Sequence, residues 1–250
     1  MKLLWTVWLT CFTWLSWAQV QLPVDTRYVV ALSGLNVRSE AGTGTPVVAK
    51  LPYGSQVRSL GLARYDAIGG REGAWEKIQF GKQTGYVFNP YLSLLPAPPL
   101  DLMTERNGAR CADLEGMGYE MLLRTYLARA LDPRRSVIEL TASPDGAGEG
   151  YHALTMQLYE LGVVVFVEQW YESSSTTLRV FGLTPYQALA WVEALMQNCP
   201  ESQVLDREPV FVKDNQGGLL EIRDGLHDGY LYRVRSLGYL LVEINMKSGV

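Results

Sequence analysis

Between residues 27 and 94 the chain repeats one pattern, in which short runs of β-forming residues end at turns that contain Gly or Pro. The run at 35–39 alternates apolar and polar residues, as a strand with one buried face does. Several short strands at this spacing are typical of a small barrel, because such a sheet must close on itself to bury its apolar side. The predicted strands are 28–31, 35–39, 47–51, 56–60, 75–80 and 84–87.

These runs resemble the bacterial SH3-like (SH3b) domain family. The matching stretches, in the family's order and spacing, are LNVRS (35–39), VVAKLPYGSQV (47–57), WEKIQF (75–80), TGYV (84–87) and YL (91–92). The resemblance covers residues 24–95. It departs from the family at Glu40-Ala41-Gly42, where Gly-Pro-Gly is usual, and at 61–73, which is longer than usual. It implies a small, non-catalytic barrel that often targets cell-wall peptidoglycan or envelope proteins.

Candidate binding residues follow from strand geometry. Residues two apart on a strand share a face, so Asn36 and Arg38 are predicted on one side and Leu35 and Val37 in the core. Aromatic side chains beside an arginine can hold a peptide or a sugar-peptide polymer by stacking and hydrogen bonding. The candidate ligand-binding residues are Asn36, Arg38, Tyr53, Trp75, Tyr86 and Tyr91. The alternative is that the aromatic side chains are barrel core or rim and that Arg38 anchors a turn.

Residues 1–18 have the three parts of a secretory signal. Lys2 supplies the positive charge, an apolar stretch follows, and the small residues Ser16 and Ala18 indicate cleavage after Ala18. We therefore predict a periplasmic or secreted protein. No transmembrane segment is predicted in the mature chain, because no apolar run reaches the roughly 20 residues that a spanning helix needs. An uncleaved anchor and a lipid-modified Cys11 are the alternatives.

A proline-rich linker is predicted at 96–100, where the sequence from residue 95 reads LPAPPL. Proline fixes φ and removes a hydrogen-bond donor, which favours an extended spacer. Charge changes at the same place, because residues 24–95 hold 8 basic and 5 acidic side chains (net +3) and residues 96–250 hold 13 and 21 (net −8). Domains are therefore predicted at 24–95 and 101–250. The net charge of −4 for the whole chain argues against a nucleic-acid partner.

Residues 101–250 are predicted to be an α+β domain with an antiparallel sheet and two main helices, so the whole chain is mainly β. We recognise no family for this part. One helix is predicted at 118–131 from apolar residues at helical spacing. The other begins with a capping box at Thr184 and Gln187, with Pro185 in its first turn, and runs to about residue 198. The predicted strands are 137–140, 153–159, 163–170, 177–181, 210–213, 219–223, 229–235 and 239–246.

Signal cleavage leaves two cysteines, Cys111 and Cys199, and an even number of cysteines in an exported chain favours a disulfide. The rival interpretation is a thiol nucleophile at Cys111, as in papain-like cell-wall endopeptidases. That enzyme family has an Asp-Cys-Ser-Gly run, whereas this chain reads RCAD at 110–113.

No catalytic set, metal site or cofactor is predicted. His152 and His227 are isolated, while zinc hydrolysis needs about three ligands at motif spacing. The Gly-rich loop 145–150 lacks the Lys-Ser/Thr tail of a phosphate loop and the ligand pattern of a calcium loop, so a turn is expected. A pair such as Glu168 and Glu172 would serve glycoside cleavage only at the right separation, and solvated surface is the expectation.

Together these observations predict an exported, non-catalytic binding or adaptor protein of the cell envelope. Its SH3-like part would bind peptidoglycan or an envelope protein or peptide, and its C-terminal part a second partner. One alternative is a periplasmic hydrolase acting on the cell wall, with its site in residues 101–250. Another is an inhibitor or chaperone of a different envelope protein.

The predicted disulfide is tested by replacing Cys111 and Cys199 with Ser, singly and together. The two cysteines are 88 positions apart, so in the chain-entropy model each single replacement lowers the free energy of unfolding by about 4–5 kcal/mol. The double variant loses no more than either single one, as urea denaturation will show. Rapid alkylation of both thiols in the unreduced mature protein would contradict the pairing.

Overall fold

In the part of the chain that the structure describes, the residues form two antiparallel sheets and two helices, as the sequence predicted. The computed structural model describes residues 25–102, 120–131, 138–142, 152–170, 173–198, 208–224, 232–238 and 241–248. Strands dominate the described residues. The predicted fold class, an SH3-like β-barrel followed by an α+β region, is confirmed.

The first sheet has seven strands and curls into a half-barrel. Its strands are β1 (Thr26–Val29), β2 (Leu35–Arg38), β3 (Val47–Leu51), β4 (Gln56–Ile68), β5 (Arg71–Phe80), β6 (Gln83–Phe88) and β7 (Leu92–Ser93). Their order in the sheet is β3-β2-β6-β5-β4-β1-β7. A 3-10 turn at Asn89–Tyr91 connects β6 to β7.

Alternation along the strands builds the barrel core. On β2, Leu35 and Val37 are buried while Asn36 is exposed, as the period of two predicts. The same core takes in Val29 and Ile78, both fully buried. The next residue after Val29, Val30, points the other way and joins a different core.

The second sheet has eight strands, all antiparallel, in the order β12-β13-β14-β15-β11-β10-β9-β8. Its strands are β8 (Ile138–Ala142), β9 (His152–Leu158), β10 (Val164–Trp170), β11 (Ser174–Phe181), β12 (Val210–Lys213), β13 (Leu219–Arg223), β14 (Tyr232–Ser236) and β15 (Leu241–Ser248). The helices are α1 (Glu120–Ala130) and α2 (Pro185–Met196). Both helices share a core with one face of this sheet, which includes Leu178 and its register partner Ile244.

The capping box predicted for α2 is present. The Thr184 side-chain oxygen accepts from the Gln187 N–H at 3.3 Å, and the Gln187 side-chain oxygen accepts from the Thr184 N–H at 2.9 Å. Most of the helix is buried, including Tyr186 near its start and Met196 at its end. Burial on several sides means that α2 lies between the sheet and other parts of the protein.

The other face of the eight-stranded sheet is polar at its centre. Glu243 on β15 pairs with Arg179 on β11 at 3.1 Å and with Arg235 on β14 at 3.5 Å. The Arg179 guanidinium also lies 4.8 Å from the centre of the Phe166 ring, within cation–π distance. These side chains form a charged ladder across three strands, and the ladder covers the carboxylate of Glu243, which is mostly buried.

The proline-rich stretch packs against both parts of the chain. Leu95 is fully buried in the core that contains both helices, and Val30 of the barrel joins the same core. The Pro96 carbonyl accepts from the Tyr126 hydroxyl at 2.9 Å and from the Trp191 indole at 3.1 Å. Where one domain ends and the next begins stays a prediction. The observed contacts fix this stretch in place.

Several predictions fall outside the described residues. These are the signal at 1–18, the Cys111–Cys199 pair, the turn at 145–150, His227 and Glu172. No helix within the described ranges has the length and apolar character needed to cross a membrane.

The double hydrogen bond to Pro96 is tested by Tyr126→Phe. Burial raises the pKa of Tyr126, so its hydroxyl stays a donor at all ordinary pH values. The substitution removes one bond and leaves the carbonyl satisfied by Trp191, so we expect the free energy of unfolding to fall by about 1 kcal/mol. The matched control is Tyr65→Phe on an exposed tyrosine, which changes stability by a few tenths of a kcal/mol at most. Equal effects in urea denaturation would contradict the anchoring role.

Candidate functional site

A cleft of about 510 Å³ lies between the barrel and helix α2. Its apolar surface comes from Val30, Leu35, Trp75 and Phe88 of the barrel and from Ala190 and Ala194 of α2. Its rim includes the exposed residues Leu32, Ser33, Asn36 and Thr43. The volume suits a short peptide or one sugar unit, within the usual range for small-ligand sites.

Strand β2 places Asn36 and Arg38 in this cleft, on the face opposite its buried residues. The Arg38 Nη1 donates to the Thr45 carbonyl. The Thr45 hydroxyl in turn donates to the Gly42 carbonyl at 2.8 Å, which closes the loop after β2. Arg38 therefore holds this loop and also lines the cleft.

Trp75 lies in the cleft wall but is almost entirely buried, with 3% of its surface exposed. Its indole Nε1 donates to Asp66 Oδ2 at 3.0 Å, and Arg64 Nη2 lies 3.1 Å from the same oxygen. The hydrogen bond from Trp75, with lesser help from the Ala67 N–H and from Arg64, lowers the pKa of the Asp66 carboxyl. The ring packs 5.9 Å from that of Phe88. Trp75 supplies a fixed apolar wall.

Of the remaining aromatic candidates, Tyr91 lines the cleft and the other two do not. Tyr91 lines the cleft, with the Arg71 guanidinium 5.4 Å from its ring centre. Tyr53 donates its hydroxyl to the Pro98 carbonyl at 2.6 Å, and Tyr86 has the Lys77 ammonium 6.0 Å from its ring. Neither Tyr53 nor Tyr86 is among the cleft-lining residues. The structure therefore brings Asn36, Arg38, Trp75 and Tyr91 together and leaves two candidates elsewhere.

The stretch 61–73, longer than the family norm, forms the outer part of the β4–β5 hairpin and reaches the C-terminal part. Arg71 Nη2 lies 2.6 and 2.7 Å from the two carboxylate oxygens of Glu193 on α2. Next to it, Glu72 pairs with Lys213 on β12 at 3.1 Å. At the root, a Cβ on Gly73 would lie 2.3 Å from Pro90 Cγ, so only glycine fits the approach. We call residues 61–73 the arm.

Sequence reasoning missed the α2 wall of the cleft. Ala190, Glu193 and Ala194 line it, yet small residues and one acid on an amphipathic helix give no local signal of a site. The extra length of the arm was the only available sign that the barrel makes an added contact. Ile68 near the arm tip also lines the cleft.

Of the residues considered for catalysis, the structure describes His152 and Glu168, and both lie away from the cleft. His152 Nε2 is 2.9 Å from Glu168 Oε1, and its ring stacks on Trp170 with centroids 5.6 Å apart. These residues lie on β9 and β10, and the cleft lining contains none of them. Within the described ranges, no three His, Cys, Asp or Glu side chains form a group that could hold a metal ion.

Comparison with known proteins identifies the first part of the chain. Residues 33–93 match the family model of the bacterial SH3 domain, which confirms the resemblance found in the sequence. This match indicates a cell-wall or peptide-binding module. Searches of the curated proteins and of the solved structures found no match.

The Trp75–Asp66 bond generates a pH prediction. Because the folded-state pKa of Asp66 is lowered, its carboxylate stabilises the arm above the unfolded-state pKa, and that contribution disappears as the pH falls through the lowered value. We expect the Trp75 indole N–H resonance to shift at that low pH, as measured by NMR. In Asp66→Asn the chemical shift of this resonance should not change over the same pH range. The Trp191 indole, which donates to a backbone carbonyl, is the internal control. A Trp75 resonance that still titrates in Asp66→Asn would assign the effect to another group.

Proposed function

We propose that this protein is an exported, non-catalytic binding protein of the cell envelope, and that it holds a peptide or sugar-peptide of the cell wall in the cleft between its SH3 domain and helix α2. The observation that carries the proposal is the position of the cleft. Its lining includes Asn36 and Arg38 from the exposed face of β2, and both residues lie in the segment that matches the bacterial SH3 domain.

The chemistry of the lining supports a ligand of this class. Buried apolar side chains such as Val30 and Phe88 form its floor, and polar groups such as Asn36 stand at the rim. An apolar surface with a few fixed polar groups binds a short peptide by desolvation and orients it by hydrogen bonds. Export, predicted from residues 1–18, would bring this surface to the cell wall.

The C-terminal part would act as an adaptor. Helix α2 supplies one wall of the cleft, while the eight-stranded sheet carries its charged ladder on the face away from the helices. A ligand in the cleft would therefore contact both parts of the chain. A second partner would bind a surface that α2 does not cover.

The experiment is co-sedimentation of purified mature protein with purified peptidoglycan. The test variant is Leu32→Ala/Asn36→Ala, which changes two exposed rim residues and no core contact. We expect binding to weaken about fivefold or more, since the loss of roughly 1 kcal/mol changes an equilibrium about fivefold.

The matched control is Leu220→Ala/Asn215→Ala, which makes the same two changes on exposed residues of the β12–β13 hairpin. This control should pellet like the unaltered protein. Background-level pelleting of the unaltered protein would contradict binding to peptidoglycan. A pull-down from periplasmic extract would then test a protein partner. Equal losses in both double variants would place binding outside the cleft.

A further inference from the structure

Two charged side chains line the cleft within the described residues. Arg38 lies on the barrel side and Glu193 on the α2 side. The other lining residues are apolar or neutral. The charge that a ligand meets therefore depends on whether each of these two groups already has a partner of opposite charge.

Glu193 has such a partner. Both of its carboxylate oxygens lie within 2.7 Å of Arg71 Nη2. The Arg71 side chain is only 16% exposed and also lies over the Tyr91 ring, so it is held in place. A close, partly buried ion pair of this kind leaves little net charge for a ligand to sense.

Arg38 differs, since its contact is with the neutral carbonyl of Thr45. Of the ion pairs formed between described residues, none includes Arg38. A guanidinium has five N–H donors in a planar fork, and the bond to Thr45 occupies only one nitrogen. Among the described residues, the cleft lining thus carries one uncompensated positive charge, and its guanidinium has further donors for a ligand.

We infer that the ligand of this cleft presents a carboxylate to Arg38. This inference rests on the proposed function and names the ligand class of the same site: a short peptide or sugar-peptide with a free carboxylate in the cleft. A carboxylate matches the guanidinium fork. One uncompensated cation balances a monoanion, whereas a phosphate near its dianionic state would ask for more positive charge. An amine would meet Arg38 unfavourably and find Glu193 already paired.

The test compares two probes that differ only in this group. Acetyl-trialanine with a free C-terminal carboxylate and the same peptide with a C-terminal amide are titrated into the mature protein, and NMR shifts of the Trp75 indole give the dissociation constants. We expect the carboxylate form to bind at least tenfold more tightly. Added salt should reduce the difference, because the pair is partly exposed.

Variants assign the preference to one side chain. Arg38→Gln keeps a donor for the Thr45 carbonyl but removes the charge, so the two probes should bind equally. Arg38→Lys restores the charge and should restore part of the preference. The matched control Arg58→Gln changes an exposed barrel arginine that pairs with Asp25 outside the cleft, and it should leave the preference intact.

The outcomes separate this inference from the proposed function. The inferred carboxylate would be wrong if both probes bind equally, or if neither binds while the protein still pellets with peptidoglycan. Either result would leave wall binding in place. A preference that Arg38→Gln abolishes, in a protein that does not pellet, would support the carboxylate and overturn the wall ligand. If neither a preference for the carboxylate probe nor pelleting with peptidoglycan is observed, both the inference and the proposed function are wrong.

Discussion

The backbone carbonyl of Pro96 determines how the barrel and the C-terminal part meet. It accepts hydrogen bonds from side chains of both helices, Tyr126 on α1 and Trp191 on α2. The residue before it, Leu95, is fully buried among the same helices. Satisfying two buried donors at one acceptor fixes the chain as it leaves the barrel, since an unpaired buried donor costs about 1–3 kcal/mol. This contact is one of those that hold α2 beside the barrel, together with the Arg71–Glu193 pair.

The cleft depends on that position. The barrel alone would present the face of β2 as an open surface, whereas α2 adds Ala190, Glu193 and Ala194 as a facing wall. The arm strengthens the arrangement through the Arg71–Glu193 pair. Glu193 therefore both lines the cleft and contributes to the contact between α2 and the arm.

Local patterns predicted much of this structure. The alternation of Leu35, Asn36 and Val37 was enough to orient β2, and the capping box at Thr184 was enough to start α2, because both depend on neighbours within a few residues. The match to the bacterial SH3 domain confirmed the interpretation of the barrel.

Contacts between distant residues were beyond the reach of those patterns. Arg71 and Glu193 are 122 positions apart, and no period in the sequence connects them. The proline-rich stretch was predicted from backbone stiffness and a change in charge, and neither reports that Leu95 is buried. Trp75 was a candidate for stacking because it is an aromatic residue of the predicted barrel, yet its indole donates to Asp66 on the neighbouring strand. The hydrogen bond from the Tyr53 hydroxyl to the Pro98 carbonyl also joins residues that are distant in the sequence, so local patterns did not predict it.

A proline-rich segment that is held by hydrogen bonds cannot act as a flexible linker. Under the proposed function, tension on a wall polymer bound beside β2 would be transmitted to the helices and to the eight-stranded sheet. The charged ladder on the sheet would then keep a fixed orientation relative to that polymer. A partner bound to the sheet would share this orientation.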